Sequence, residues 1–371
     1  MCDTIETVDL SDGIISIGDR AFRDCANLSE INLPDTVTSI GREAFYNCTK
    51  LGEIVIPGSV KKVPTEAFYG CTWLKSVIME EGVEEIGYKA FRDCTGLTNV
   101  TIPETLTRVE EYAFYYAGSA TSPINDIVFS DSLLPIGSNA FYNAQIQGVT
   151  IGKSLTELRP GAFEGSTITS IKASNINTIA GNAFKSCLCL KDVDLGEKLT
   201  KIGNNAFNAC SALTSVVLPS SVESIENSAF YDCRNLTSIT LPENLISIGN
   251  GAFYFCGLTI VTIPESVTTI SNSVFSSCNN LTSITISAGV TSIGKGAFDN
   301  AGLTEVIIDS AYVAGNINTP EDCGGIILNA PTTYIKQGLD ISGSEIFLQY
   351  FEKQETSDKA GYDKYTFKLI N

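Results

Sequence analysis

The chain contains no histidine in its 371 residues. That absence excludes Ser-His-Asp triads, Cys-His pairs, His-ligated zinc and haem on a proximal histidine. Basic residues are few, 24 against 42 acidic ones, and the formal net charge is −18. With so little positive charge, nucleic acid is not an expected partner, because no basic surface replaces counterions along phosphates. An anionic membrane surface is disfavoured for the same reason. No stretch approaches 18 consecutive apolar residues, so membrane insertion is not expected. Met-Cys-Asp-Thr-Ile-Glu at the start lacks a basic segment followed by an apolar one, so no signal peptide is expected in the chain as given. No G-x-G-x-x-G motif is present, and the tripeptide Gly152-Lys153-Ser154 has Gln147 where a G-x-x-x-x-G-K-[ST] loop needs its first glycine. Charged residues are only 18% and hydrophobic ones 43%, which excludes disorder of the highly charged, core-poor kind.

What the sequence has is a period. An apolar-Phe dipeptide, Ala-Phe in all but one case, recurs with its phenylalanine at 22, 45, 68, 91, 114, 141, 163, 184, 207, 230, 253, 275 and 298. The step is 23 residues or within two of it, except for 27 between Phe114 and Phe141. A fixed period of this size signals a solenoid, since a four-stranded propeller blade needs about 40 to 45 residues. The unit starting at Leu236 reads Leu-Thr-Ser-Ile-Thr-Leu-Pro-Glu-Asn-Leu-Ile-Ser-Ile-Gly-Asn-Gly-Ala-Phe-Tyr-Phe-Cys. Its opening alternates Ser238 and Thr240 with Ile239 and Leu241, as a strand does. Pro242 has no N–H to donate and ends that strand. Gly249 marks a bend, and Ala252, Phe253 and Cys256 suit the inner face of about one helical turn. Three residues before the isoleucine of Ile-Gly stands an apolar column from Ile14, Val37 and Val60 to Val267 and Val290. The phenylalanines then form a buried aromatic spine.

The run Leu-Thr-Ser-Ile-Thr-Leu-Pro, Ile-Ser-Ile-Gly, Ala-Phe, Cys resembles the leucine-rich repeat of the BspA-like (Treponema-type) subfamily, over roughly residues 5 to 308. The resemblance implies an α/β repeat solenoid: a right-handed leucine-rich-repeat horseshoe or arc, with a parallel concave sheet, short convex helical turns and a C-terminal cap. It further implies a cell-surface or secreted protein used in adhesion or protein binding, with a host extracellular protein as one kind of partner. The expected organisation is a solenoid of about 13 to 14 coils over 1–309 and a capping region over 310–371. Ala-Gly-Ser-Ala-Thr-Ser-Pro (117–123) departs from the pattern and reads as a small bulge.

Nine of the twelve cysteines follow a spine phenylalanine by three residues; the same column elsewhere holds Ala117, Ala144, Ser166 and Ala301. A site that accepts Cys, Ala or Ser wants a small buried side chain. These nine thiols are expected to be reduced, because side chains of one column point the same way and do not face each other. No metal ligand set and no cofactor site is read from them. Cys2, Cys189 and Cys323 stand outside the column. Toward the end, Ile326 to Leu328, Tyr334 to Ile335 and Tyr365 to Ile370 read as strands of the cap.

With the interior assigned, function falls to the surface. The outward columns of the strand begin Thr7, Glu30, Glu53, Ser76, Asn99 and Asp9, Asn32, Val55, Ile78, Thr101. Asp9, Glu30, Asn32, Glu53, Val55 and Ile78 are the candidate partner-binding residues. The acidic ones would steer a basic protein, and the aliphatic pair offers an apolar centre. Lys172, Asp192 and Asp194 group on the same face further along, but two carboxylates on an open strand supply too few oxygens for calcium. No catalytic residues are assigned, and an enzyme is not expected. The competing reading is a spacer whose contacts lie in the C-terminal region or on a convex row of tyrosines, Tyr46, Tyr69, Tyr115, Tyr142, Tyr231 and Tyr254.

Overall fold

The structure is a computed structural model, and it describes residues 2, 4–311, 313, 332–341 and 351–367. Cys323, the strand expected at 326–328 and most of the segment 344–352 lie outside the described residues. The chain forms two compact units, Met1–Gly196 and Glu197–Asn371.

Both units are built from the same coil, and most coils contribute two strands, one to each of two parallel rows; in the coil of Ile127–Val128 the second is reduced to a bridge from Ile136 to Val109. In the first unit the first row contains Thr7–Val8 and Glu30–Ile31, then Glu53–Ile56, Ser76–Met79 and Asn99–Thr101, then Ile127–Val128, Gly148–Thr150, Ser170–Lys172 and Asp192–Asp194. The second row contains Ser16–Ile17 and Ser39–Ile40, then Lys62–Val63, Glu85–Ile86 and Arg108–Val109, then Glu157–Leu158 and Thr178–Ile179. The second unit has two such rows of its own: Ser215–Val216 and Ser238–Ile239, then Ile260–Ile263, Ser283–Ile286 and Glu305–Ile308, and a second row from Lys201–Ile202 to Ser292–Ile293. The first row follows from strict alternation: Glu53–Ile56 is exposed, buried, exposed, buried. The second row was not expected from the sequence. Its signal is the residue before the bend, which is Ile17, Ile40, Val63, Ile86, Val109, Ile136, Ile179, Ile202, Ile225, Ile248, Ile270 or Ile293 in every coil but that of Leu158. β-branched residues in register favour a sheet.

The Ala-Phe turns are not helical, which corrects the expectation. The residue two before each spine phenylalanine and the residue two after it both have positive φ, from Arg20 (58°) and Asp24 (58°) to Gly296 (62°) and Asn300 (56°). Left-handed residues only four positions apart interrupt any α-helix. They send every second N–H along the stack instead. Glu43, Phe45 and Asn47 donate to the carbonyls of Thr65, Ala67 and Tyr69 in the next coil, at 3.1, 2.8 and 2.8 Å. The residues between, Ala44, Tyr46 and Cys48, donate to Gly41, Glu43 and Phe45 within their own coil. Each left-handed non-glycine residue costs about 1–2 kcal/mol. Asn, Asp and Gly occupy more than half of these positions and reduce that cost.

The spine is continuous within each unit. Ring centroids are 5.3 Å apart for Phe22–Phe45, 5.1 Å for Phe45–Phe68, 5.3 Å for Phe68–Phe91 and 5.7 Å for Phe163–Phe184, and the rings stack nearly parallel. In the second unit the steps from Phe207 to Phe298 run between 5.2 and 5.7 Å. Every spine ring is buried except that of Phe22, which is half-buried in the first coil. Val37, Val60, Val83 and Leu245 of the apolar column are fully buried, as their pattern requires.

After Glu305–Ile308, one more parallel strand, Thr332–Lys336, sets Tyr334 opposite Ile307. The direction then reverses, with Tyr362–Phe367 antiparallel between Thr332–Lys336 and Phe351–Lys353. Buried Tyr334 donates its hydroxyl to Asp358 at 2.7 Å, and Lys359 ties this turn back to Glu305 at 3.2 Å. That hydroxyl, with Lys364, lowers the pKa of Asp358.

Two outcomes test this packing. Phe68→Ala leaves a ring-sized cavity between Phe45 and Phe91 and should cost about 3–5 kcal/mol. Faster hydrogen exchange should be confined to the flanking coils, because each coil contacts only its neighbours. Ala209→Gly removes a Cβ at φ 60° and should stabilise the second unit by about 0.5–1 kcal/mol in a denaturant titration, as the relief of the left-handed penalty exceeds glycine's entropic cost.

Candidate interaction face

The first-row strands hold the candidate residues on one outward face. Asp9, Glu30, Asn32 and Glu53 are exposed, Val55 is 37% exposed and Ile78 is half-buried. The register sets Glu30 beside Thr7, Glu53 beside Ser76, and Val55 directly beside Ile78. Adjacent strands lie about 4.8 Å apart, so the aliphatic pair makes a small contiguous spot. Among the described residues, no ion pair engages Asp9, Glu30 or Glu53. Asn32 differs from them in having its side chain engaged. Its side-chain amide receives the Leu10 N–H at 2.7 Å and donates to the Leu10 carbonyl at 3.3 Å, closing the first strand. Lys172 and Asp194 adjoin on paired strands further along, and both are exposed.

The charged residues of the Ala-Phe turn form a second surface. Glu43 is only 4% exposed and faces three arginines: Arg20 and Arg42 at 3.1 Å, and Arg23, which also contacts it. Arg23 lies 4.3 Å from the Tyr46 ring centre, Tyr46 stacks on Tyr69 at 4.7 Å, Arg92 sits 5.5 Å from Tyr69 and 4.5 Å from Tyr115, and Tyr115 stacks on Tyr142 at 4.8 Å. The ring faces of this column are therefore spent on one another and on guanidinium groups. Tyr231 and Tyr254 repeat the stack at 5.0 Å. Desolvation raises the Tyr69 and Tyr115 hydroxyls above their ordinary pKa, and Asp93 adds to it at Tyr69.

The cysteine column has a bond that sequence reasoning missed. The thiols of Cys48, Cys71, Cys94, Cys187, Cys233, Cys256 and Cys278 each donate to the carbonyl of the spine phenylalanine one coil earlier, at 3.0–3.1 Å. Alanine also fits the column but lacks this donor. The expectation that all nine column thiols are reduced is corrected at Cys25, which is disulfide-bonded to Cys2 with Cα atoms 4.5 Å apart. Cys2 stands one 23-residue step earlier in the same column. The other eight are free and buried, while Cys189 is free and exposed. No group of three or more metal-ligating side chains converges among the described residues. Among the described residues, no helix is long and apolar enough to cross a membrane.

This geometry is the one a known repeat builds. The model of the BspA type leucine rich repeat region matches residues 1–121, 117–220 and 200–318. The chain belongs to the BspA-type leucine-rich repeat family. A leucine-rich repeat protein from Bacteroides ovatus is 25% identical, with a TM-score of 0.53, over 81% of this chain and 86% of that one. A leucine-rich cell surface protein from Faecalibacterium prausnitzii is 23% identical, with a TM-score of 0.46, over 93% and 90% of the two chains. The pneumococcal vaccine antigen PcpA is 20% identical, with a TM-score of 0.48, over 83% and 75%. No curated protein matches the chain. In these BspA-type coils the turns are left-handed punctuated bends, and the second strand row completes the repeat.

Burial pushes the column thiols up, from the ordinary 9.0 to about 12 for Cys48, Cys187 and Cys278. Below pH 9 these thiols are protonated in folded and unfolded chains alike. As the pH rises from 9 toward 12, the unfolded chain releases protons the folded one keeps, so stability falls over that window. Replacing Cys48, Cys187 and Cys278 together by alanine should flatten the alkaline part of the stability curve relative to the parent. Peptide mapping after native iodoacetamide treatment should find Cys189 labelled and the eight free column thiols labelled only in denaturant.

Proposed function

We propose that this chain is a non-enzymatic binding module that engages a protein partner through the first-row face. Asp9, Glu30, Glu53, Val55 and Ile78 are the centre of the contact. The observation that carries the reading is the combination of three exposed carboxylates, unpaired by any described cation, with an aliphatic pair in register beside them. Strands fixed in a ladder lose little freedom on binding, so more of the contact energy is retained. Exposed carboxylates steer a basic partner and weaken with salt over a Debye length of about 8–10 Å. Asn32 is left out because its amide is spent on Leu10. A cell-surface or secreted location and an adhesive role agree with the family. The strands Thr332–Lys336, Tyr362–Phe367 and Phe351–Lys353 serve this reading as a cap beside Glu305–Ile308.

The test is association kinetics with a captured basic protein partner. Glu30→Lys with Glu53→Lys should slow association by roughly an order of magnitude at low salt and leave the melting curve unchanged. The effect should shrink at high salt. Unchanged association would move the contact away from these coils, toward the spacer reading in which the C-terminal region binds.

A further inference from the structure

Trp73 is the single tryptophan of the chain, and it is 65% exposed. It sits between the Cys71 turn and the strand Ser76–Met79, on the rim of the first row rather than on its outward face. Tryptophan carries a large apolar area and is seldom left in water without a partner. Its surroundings along the stack are specific. On one side is Lys50, whose ammonium is held by Asn27 at 2.7 Å. On the other side the next coil has Gly96, pressed so closely on the backbone that a Cβ there would stand 2.5 Å from the Thr72 carbonyl oxygen and 3.2 Å from the Trp73 carbonyl carbon. Beyond Gly96 comes the one long step of the array. The extra residues leave and return on the coil of Gly96: Gly118 donates to Cys94 at 3.1 Å, Ser119 to Leu97 at 3.0 Å and Asn125 to Thr98 at 3.2 Å. Between those anchors, Ser119 and Thr121 share a hydroxyl contact at 3.1 Å, and Ala120, Thr121 and Ser122 are exposed.

We infer that Trp73, Gly96 and the 119–122 bulge form a subsite for a neutral glycan. The exposed indole, the side-chain-free step and the hydroxyl-bearing bulge follow one another at successive coils. Indole and bulge stand two coil steps apart, about 10 Å along the stack, with no side chain on Gly96 between them. A sugar ring has an apolar C–H face for the indole and rim hydroxyls for Ser119, Thr121 and Ser122. A protein hot spot would need a wider apolar surround, and here the neighbouring Leu74 and Leu97 are buried. The charge argues for a neutral polymer, since Lys50 is engaged by Asn27 and the chain carries −18.

Because Trp73 is the sole indole, its fluorescence reports on this site alone. The full chain is titrated with dextran, mannan, xylan and a soluble β-1,3-glucan. At least one should shift the emission to the blue and protect it from acrylamide. By a pull-down on the same immobilised polysaccharide, Trp73→Ala should lose at least about tenfold in affinity, and Trp73→Phe should lose less. Deleting Ser119 to Ser122 restores the 23-residue step the other coils use, so it should fold, and it should weaken binding comparably. An emission unmoved by all four polymers, or full binding by Trp73→Ala, would each overturn the assignment.

Discussion

Every second N–H of the Ala-Phe turn points along the stack, and the rest of the coil follows from that constraint. That direction goes with a left-handed residue on either side of the spine phenylalanine, two before it and two after it. It sets the coil-to-coil distance on the turn side to that of a peptide hydrogen bond, about 4.8 Å between backbones. Phenylalanine rings then have to stack, and the residue three further on has to be small. A thiol satisfies the size and gives its proton to a spine carbonyl that would otherwise accept only one bond. The strands on the other two sides are free to vary outward because their inward residues already meet the same spacing.

Much of this was legible in the sequence because a repeat tests each position thirteen times. The spine, the apolar column and the first strand row could be read from Phe68, Val60 and Glu53–Ile56 and their equivalents. The helical turn was a misreading of Ala252, Phe253 and Cys256, whose spacing suits a helix face but whose flanks, Gly251 and Phe255, are left-handed. Asn47, Asp93, Asn139 and Gly165 carried the correcting signal. The second row was hidden because its strands are two residues long, too short to show alternation. The Cys25 disulfide escaped because Cys2 does not follow a spine phenylalanine, although it stands one step from Cys25. On the surface, residue types were legible and their engagement was not. Nothing in the string distinguishes Asn32, bound to Leu10, from the equally polar Asp9 in the same column.

The distribution of aromatic residues divides the labour of the molecule. Phenylalanines lie inside, tyrosines stack half-buried at the turn with arginines between them, and the indole stands at the rim. Each tier meets water to a different degree, and only the last leaves a ring largely uncovered. The buried Glu43 with Arg20, Arg23 and Arg42 belongs to the middle tier. It holds the early turns together through charge where Phe22 is only half-buried.

The serial arrangement of intercoil hydrogen bonds has a mechanical consequence. Within either unit, a pull that peels coils from an end loads only the bonds of the outermost boundary, not those of the whole ladder. Each boundary therefore gives way in turn, at a similar modest force, and each release adds one coil of chain, on the order of 80 Å when extended. A tether built this way lengthens many-fold before its last coil opens, and it dissipates a sudden load in small even steps.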